Sequence, residues 1–387
     1  MTPFSIPPQH GILPTKERRI ARVLADRYVD NGLSYLQLGE EKTLFLASTK
    51  DACLGFQTAG GYAIVPGQPV GPVSAWSGLI QEFEEHCLHR GLAVAFCGIT
   101  ADALPRFRER GYRFIKAGDD AVIDLPPLTL RGKQWQECRA ALNRARKRGY
   151  SFSWVQTSQR TGALALELEE VSRQWLSSKR LPELRFALGT HESIFDHRTL
   201  LAIARGPDGR LEGFVTWAPV PTEPGWMMDM MRRRADTMAG LMDFLVTRSL
   251  LDFQSLGFRT ASLGGTPLSN IGHEQGGVLR SILDLAFQRL QRAPYAPKSL
   301  LHYKRKFNPR WSPLYLVYQA KTPLPQVFYA LLRACAPTLG LGQIAQIVLG
   351  SALVWPGAGS PRTSPRRASF SASQSYQICS SNCPSDV

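Results

Sequence analysis

Two distant stretches of the chain, HCLHRGLAVAFCGIT beginning at His86 and LDFQSLGFRTASLGGT beginning at Leu251, follow one plan. In each, an amphipathic helix stops at a glycine C-cap and the chain drops into a buried strand. A chain that repeats a helix–glycine–strand unit must find a sheet for both copies, so the repeat predicts two versions of one α/β unit. The flanking patterns agree. In the first half, apolar residues Ile20, Val23, Leu24 and Tyr28 recur at helical spacing within a helix expected over 16–32. TLFLAS and LGFQTA read as strands, AGG turns the chain into YAIV, and PGQPVGP forms a rigid loop. A helix over 76–90, the strand LAVAFCGI, a short helix over 102–110 and two strands, YRFI and AVIDL, complete that half. In the second half, LLAIAR and EGFVTWAP flank the turn GPDGR, a helix over 241–256 leads into GFRTASLGG, and FNPRWSPLYLVY returns to a strand. Strands alternating with helices in this order define a mixed α/β fold.

The boundaries that follow are a lead over 1–15, a first α/β domain over 16–130, a linker helix over 131–149 and a second domain over 150–336. An apolar segment over 337–356 and a Ser-rich, disordered tail over 357–387 come after them. Within the apolar segment, 338–355 has no charge but carries Gln343, Gln346, Ser351 and several glycines, so packing on the domain or lying at a membrane interface is favoured over spanning a bilayer.

The linker helix has a marked polarity. Trp135, Cys138, Leu142 and Ala145 form an apolar stripe, while 131–148 carries seven basic residues against one acid, Glu137. A stripe anchored by Trp fixes where the helix sits, so Arg139, Arg144, Arg146, Lys147 and Arg148 must face something definite. A phosphate backbone is the natural object. The bulk charge points the same way: 46 Lys and Arg against 31 Asp and Glu give +15, which favours a polyanionic partner such as RNA, DNA or an anionic membrane surface.

The stretch GWMMDMMRRRAD, residues 225–236, sets one carboxylate inside a run of Trp and Met and follows it with three arginines. It reads as a buried strand leaving the sheet at the arginines, which makes Asp229 an interior acid in need of a partner. Strict alternation would pair Asp229 with Arg233 and turn Arg232 away. Cooperation between Asp229 and Arg232 therefore requires a strand end or a bulge at Met230–Met231.

Other chemistry is thinly represented. His86 and His89 share a helix face without a third ligand, the remaining histidines form neither HExxH nor HxxxH, and no metal site is expected. The seven cysteines show no CxxC spacing and read as buried thiols, apart from Cys379 and Cys383 in the polar tail. Walker A and GxGxxG loops are absent. The N-terminus lacks a signal-peptide core, so a cytoplasmic location is expected, with peripheral contact at the inner face of the plasma membrane left open. Mixed α/β units of this size raise the acetyl-CoA-type acyltransferase fold, whose [RQ]xxGx[GA] loop holds a pyrophosphate on free amides. The corresponding loop here, RRRADTMAGLMDFL, lacks that pattern, so the fold is expected without the coenzyme.

Taken in order, GQPVGP, LNRARKRG, VSRQWL, DMMRRR, GLMDFL, SLGGTPLSNIG and KRKFNPRWSPLYLVY resemble the signature segments of the cytosolic domain of phosphatidylglycerol lysyltransferases and related aminoacyl-phosphatidylglycerol synthases. The similarity runs from about Lys16 to Ala336. It implies tandem acetyltransferase-like (GNAT-like) folds joined by the basic helix, with a tunnel between them. It also implies transfer of an amino acid, lysine or alanine, from aminoacyl-tRNA to phosphatidylglycerol, with no cofactor. Asp229 and Arg232 match the family's D-x-x-R stretch, and Lys304 and Lys306 its K-x-K-F segment. On this resemblance Asp229 would orient or deprotonate the attacking hydroxyl or grip the aminoacyl amine, and Arg232 would bind a phosphate; a buried structural ion pair is the alternative. Lys304 and Lys306 would contact the tRNA acceptor end or an oxyanion, or simply end a helix in solvent. Arg233 joins them as a substrate-binding candidate. Glu183 is a candidate for recognising the substrate amine, and Asp243 sits on the polar face of its helix. Full-length members usually carry a transmembrane flippase region, which these 387 residues lack, so lipid flipping is not expected of them. Two other classes remain open: a soluble aminoacyl-tRNA-dependent transferase with a non-lipid acceptor, and a non-catalytic RNA-binding protein.

Overall fold

The computed structural model describes residues 15–178, 186, 189, 191–223, 225–270 and 297–335. Glu183, the 338–355 segment, the tail with Cys379 and Cys383, and the lead before Thr15 lie outside the described residues. In the first half the chain forms α1 (Lys16–Tyr28), α2 (Gly32–Leu36), β1 (Thr43–Leu46), β2 (Cys53–Ala59), β3 (Tyr62–Pro66), α3 (Trp76–Leu88), β4 (Ala93–Thr100), α4 (Leu104–Glu109) and β5 (Tyr112–Asp124). The helix α5 (Gln136–Lys147) then leads into β6 (Ser151–Val155), α6 (Gly162–Ser177), β7 (Leu200–Arg205), β8 (Leu211–Val220) and β9 (Gly225–Arg233). After them come α7 (Leu241–Ser255), β10 (Thr260–Pro267), α8 (Pro297–Arg305), β11 (Arg310–Gln319) and α9 (Leu324–Cys335).

Two local expectations change. The helix expected over 16–32 is two helices: α1 stops at Tyr28, and the Asn31 side chain accepts from the Ser34 amide at 3.0 Å to start α2 afresh. YRFI and AVIDL are not separate strands but one, β5, which continues through AGDD because β11 pairs with it along its length.

Both halves are mixed α/β units of the same design. In each, an antiparallel run of strands ends in a parallel pair bridged by a helix, β3–α3–β4 in the first and β9–α7–β10 in the second. The helix–glycine–strand repeat seen in the sequence is the second half of that bridge. The described strands form one sheet in the order β1-β2-β3-β4-β11-β5-β10-β9-β8-β7-β6. The last strand of each half therefore sits inside the other: β11 runs between β4 and β5, and β5 runs between β11 and β10.

The cores follow the layers. On one face of the second half, α7 and α5 pack over Trp217, Leu263 and Phe307, with Phe253 of α7 stacked 6.0 Å from the Trp226 ring of β9. The apolar stripe of α5 behaves as its spacing requires, since Trp135, Cys138 and Ala145 are buried and Leu142 is half-buried. Each large side chain so buried contributes roughly 1.5–3 kcal/mol. On the opposite face, α6 covers Met230 and Phe214. The first half's α1 reaches across that same face to Ala218, Val220 and Met227. Gly32 opens α2 where a side chain would run into the Met227 sulfur, so α2 lies close against β9.

The strand exchange predicts that the halves do not fold apart. A fragment over 1–149 leaves facing edges of β4 and β5 without β11. Expressed alone it should show no cooperative unfolding transition by circular dichroism, and co-expression with 150–387 should restore one.

Candidate functional site

The site is set by a register defect. Along β8 and β9, Val215 pairs with Met231 and Trp217 with Met228, so Thr216 alone faces both Asp229 and Met230. This is a β-bulge, which shifts alternation by one residue. Met228 and Met231 belong to the core under α7, whereas Met227, Met230 and the residues that follow their phase belong to the opposite face. Asp229 and Arg232 consequently share the face covered by α2 and α6. The bulge expected from the sequence is present, one position earlier than Met230–Met231. Thr216 holds it: its Oγ1 accepts from the Met230 amide at 3.0 Å and donates to Asp229 Oδ2 at 3.3 Å.

Asp229 is 7% exposed and Arg232 is 3% exposed. The Gly189 amide donates to Asp229 Oδ1 at 2.6 Å, and residue 189 must be glycine because a Cβ there would collide with the carboxylate. A buried carboxylate costs several kcal/mol unless such donors surround it, and charge-assisted bonds of this type contribute about 1.5–3 kcal/mol each. The Arg232 guanidinium lies 4.0 Å from the Trp175 ring centroid, and its Nη1 donates to the Met231 carbonyl at 3.1 Å. Trp175 comes from α6, within VSRQWL, a segment whose role the sequence alone did not reveal.

On the same face, α2 carries a second network that sequence reading missed. The buried Tyr35 hydroxyl donates to Asp196 Oδ2 at 2.8 Å, and Arg198 both pairs with Asp196 at 2.9 Å and lies over the Tyr35 ring. Burial, with Asp196 next in effect, pushes the Tyr35 phenol up, so it stays a neutral donor. Burial also pushes Asp196 up, but Arg198 outweighs it and holds the carboxyl down at about 2. No short motif joins these residues, because they are drawn from two halves of the chain.

The two parallel strands next to this site part company. β9 pairs with β10 through Met227 and Ser262 only, after which β9 runs on along β8 and β10 along β5. Lys304, from α8, enters where they separate. It is 2% exposed, and its Nζ donates to the carbonyls of Gly264 and Gly265 at 2.6 and 2.9 Å. Gly264, at φ +83°, takes a left-handed conformation, and a Cβ there would meet the Met228 carbonyl at 3.3 Å and Lys304 Nζ at 3.8 Å. Burial pushes the ammonium down to about 7, with Asp120 pulling the other way. Lys304 is thus not a solvated helix end.

The other sequence candidates divide. Lys306 is half-buried and bridges Glu137 of α5 at 2.8 Å and Asp243 of α7 at 3.3 Å, tying the basic helix to the second half. Arg233 is exposed at the end of β9. On α5, Arg139 is committed to the carbonyls of Leu130 and Gly132, and Arg144 donates to the Ala239 carbonyl at 2.6 Å. Arg146, Lys147 and Arg148 face solvent. Cys53, Cys87 and Cys138 are buried free thiols. Among the described residues no cluster could hold a metal ion, and no helix is long and apolar enough to cross a membrane.

The site is thus a buried acid and a buried arginine on one face of a mixed α/β sheet, beside a strand split. The family described as "Phosphatidylglycerol lysyltransferase, C-terminal" matches residues 22–318, and the chain belongs to it. A phosphatidylglycerol lysyltransferase of Bacillus subtilis is 28% identical over 303 residues, which cover 78% of this chain and 35% of that protein. This chain therefore spans little more than a third of the length of such relatives. The structure of L-PGS from Bacillus licheniformis superposes with a TM-score of 0.72 at 26% identity, covering 85% of this chain and 98% of that one. FemX, at 10% identity and a TM-score of 0.52, shares the fold alone.

Two measurements check this geometry. Thr216→Val removes the hydroxyl that braces the bulge and should lower unfolding free energy by about 1–3 kcal/mol, the cost of stranding buried polar partners. For Lys304, the folded ammonium titrates near 7 and the unfolded one at its ordinary value of 10.5. Between those values the unfolded chain holds the extra proton, so this group makes stability rise with pH. Denaturation of wild type and Lys304→Met across that range should show the difference moving in favour of wild type as pH rises; a flat difference would rule out the depressed ammonium.

Proposed function

We propose that the chain transfers an aminoacyl group from aminoacyl-tRNA to a glycerol hydroxyl of phosphatidylglycerol, with lysine or alanine as the amino acid. The observation that carries this reading is the bulge that sets Asp229 and Arg232 on one buried face beside the strand split. Family membership, and relatives named phosphatidylglycerol lysyltransferase, support it.

The reaction is an ester exchange at an already activated carbonyl. The lipid hydroxyl oxygen bonds to the aminoacyl carbon, the ester bond to the tRNA ribose oxygen breaks, and the hydroxyl proton ends on that ribose oxygen. No electron is gained or lost overall, so the protein's work is placement and charge management, and correct placement alone lowers the barrier by several kcal/mol. Asp229 takes the lipid hydroxyl proton and returns it to the ribose. Its Thr216 and Gly189 bonds fix the carboxylate's direction. Arg232, held flat by Trp175, presents its charge to a phosphate of lipid or tRNA. Lys304, poised near neutrality between two carbonyls, supports the developing oxyanion. The exposed Arg146, Lys147 and Arg148 follow the tRNA backbone. The acceptor is met at the surface of an anionic bilayer, which the chain's charge of +15 favours.

The test is to incubate the purified chain with labelled aminoacyl-tRNAs and phosphatidylglycerol vesicles and to measure label in the lipid phase. Labelled lipid is expected, and amino acids tried singly name the donor. Asp229→Asn should cut transfer by about 10²–10⁴-fold, the usual worth of a general base, while circular dichroism shows the chain still folded at the assay temperature. Deacylated tRNA with label left in water would assign a soluble acceptor instead. Untouched tRNA would reduce the chain to an RNA-binding protein.

A further inference from the structure

The seat of Lys304 is built by a residue of the other half. Along β10 and β5, Ser262 pairs with Val122 and pairing resumes with Gly265 opposite Asp120, so Leu263 and Gly264 together face Ala121 alone. A bulge of this kind re-aims backbone groups that a regular ladder would use. Here they are taken up from both ends. The Gly264 amide donates to Ser262 Oγ at 2.8 Å, and the Ser262 hydroxyl donates to Asp120 Oδ1 at 2.6 Å. The Gly264 carbonyl in turn accepts from Lys304 Nζ at 2.6 Å, beside that of Gly265 at 2.9 Å.

We propose that Asp120 is a positioning residue for the transfer reaction: through Ser262 it holds the bulged segment of β10 that seats Lys304, and its carboxylate is the countercharge of that ammonium. The inference rests on the reaction proposed above, in which Lys304 supports the developing oxyanion.

Asp120 is not placed as a structural acid would be. Across the ladders it faces Ser312 of β11 and Gly265 of β10, neither of them charged. Its neighbour Asp119 shows the contrast, since that carboxylate pairs with Lys116 at 2.8 Å and accepts from the Ser269 hydroxyl at 2.8 Å and the Asn270 amide at 3.0 Å. Burial pushes the Asp120 carboxyl up, and the Ser262 bond and the Lys304 charge hold it down. Burial pushes Lys304 down, and Asp120 pulls it back up.

The other charges packed around this point have partners of their own. β10 carries no titratable side chain. On β9, Asp229 takes the Gly189 amide and the Thr216 hydroxyl. On the chain just after α8, Lys306 turns to Glu137 and Asp243. On β11, the exposed Arg310 acts on Asp120 but pairs with Asp124 at 3.5 Å. Asp120 is therefore the acid that decides how far toward alkaline pH Lys304 keeps its proton. It belongs to β5, the last strand of the first half, so the strand exchange makes that half a contributor to the chemistry of the second.

The experiment follows transfer to phosphatidylglycerol vesicles across the neutral pH range in the full chain. Activity that needs a charged Lys304 falls on the alkaline side, near 7 in wild type. Asp120→Asn keeps an acceptor for Ser262 and removes only the charge, so it should move that alkaline limb about one pH unit toward acid and leave the acid limb in place. A uniform loss at every pH, as a structural role would give, overturns the countercharge. Ser262→Ala should lower transfer about tenfold, the equivalent of one buried hydrogen bond, and Ser262→Thr should restore it. Full activity in Ser262→Ala overturns the seat. Titration of the Lys304 side-chain nitrogen by NMR, assigned by its loss in Lys304→Met, reads the same charge without the reaction. If lipid is labelled but the midpoint stays put in Asp120→Asn, this inference alone fails. If the midpoint moves but wild type labels no lipid, the transfer reading fails and takes the role in transfer with it, while the hold of Asp120 on Lys304 stands.

Discussion

The exchange of terminal strands between the halves governs the architecture. β11 pairs with β5 from Arg310 to Gln319 and with β4 along its other edge, while β5 also pairs with β10. A hydrogen-bonded ladder shared in this way makes each half complete the other's sheet, and edges that would otherwise invite association are covered. It also sets the two units side by side in one continuous surface. Helices of the first half, α1 and α2, can then lie on strands of the second and cover the face that carries Asp229.

Within that frame, one residue of extra length in β9 organises the chemistry. Without the bulge at Asp229–Met230, the acid and Arg232 would lie on opposite faces of the sheet, one toward α6 and the other toward α7. The sheet tolerates the defect because Thr216 supplies a hydroxyl to both bulged residues. The nearby divergence of β9 from β10 gives Lys304 its place, since the Gly264 and Gly265 carbonyls that accept from it lie in the irregular part of β10. Two departures from regular pairing thus set the places of an acid and a guanidinium on one face of β9 and of a depressed ammonium at the split beside it.

The chain's positive charge divides into two uses. Arg139, Arg144 and Lys306 are bound to carbonyls or carboxylates and hold α5 in position. Arg146, Lys147 and Arg148 remain in solvent at the end of the same helix. Spacing predicted a basic helix pinned by Trp135 but could not sort these residues, because that depends on which carbonyls tertiary packing brings within reach.

The sequence by itself determined what local periodicity encodes: the repeated helix–glycine–strand unit, the mixed α/β class, the striped basic helix, and an interior acid whose partnership with Arg232 demands a break in alternation. It also carried enough ordered segments to mark the family. It misjudged α1 and β5, because a cap at Asn31 interrupts one pattern and pairing with β11 sustains the other. The site's remaining members, Thr216, Gly189, Trp175 and the Tyr35–Asp196–Arg198 network, come from separate elements and have no shared motif. Only the tertiary structure decided the strand exchange, the position of the bulge and the burial of Lys304. Each of these depends on register between segments far apart in the chain, and register is fixed by cross-strand packing rather than by any residue's neighbours in sequence.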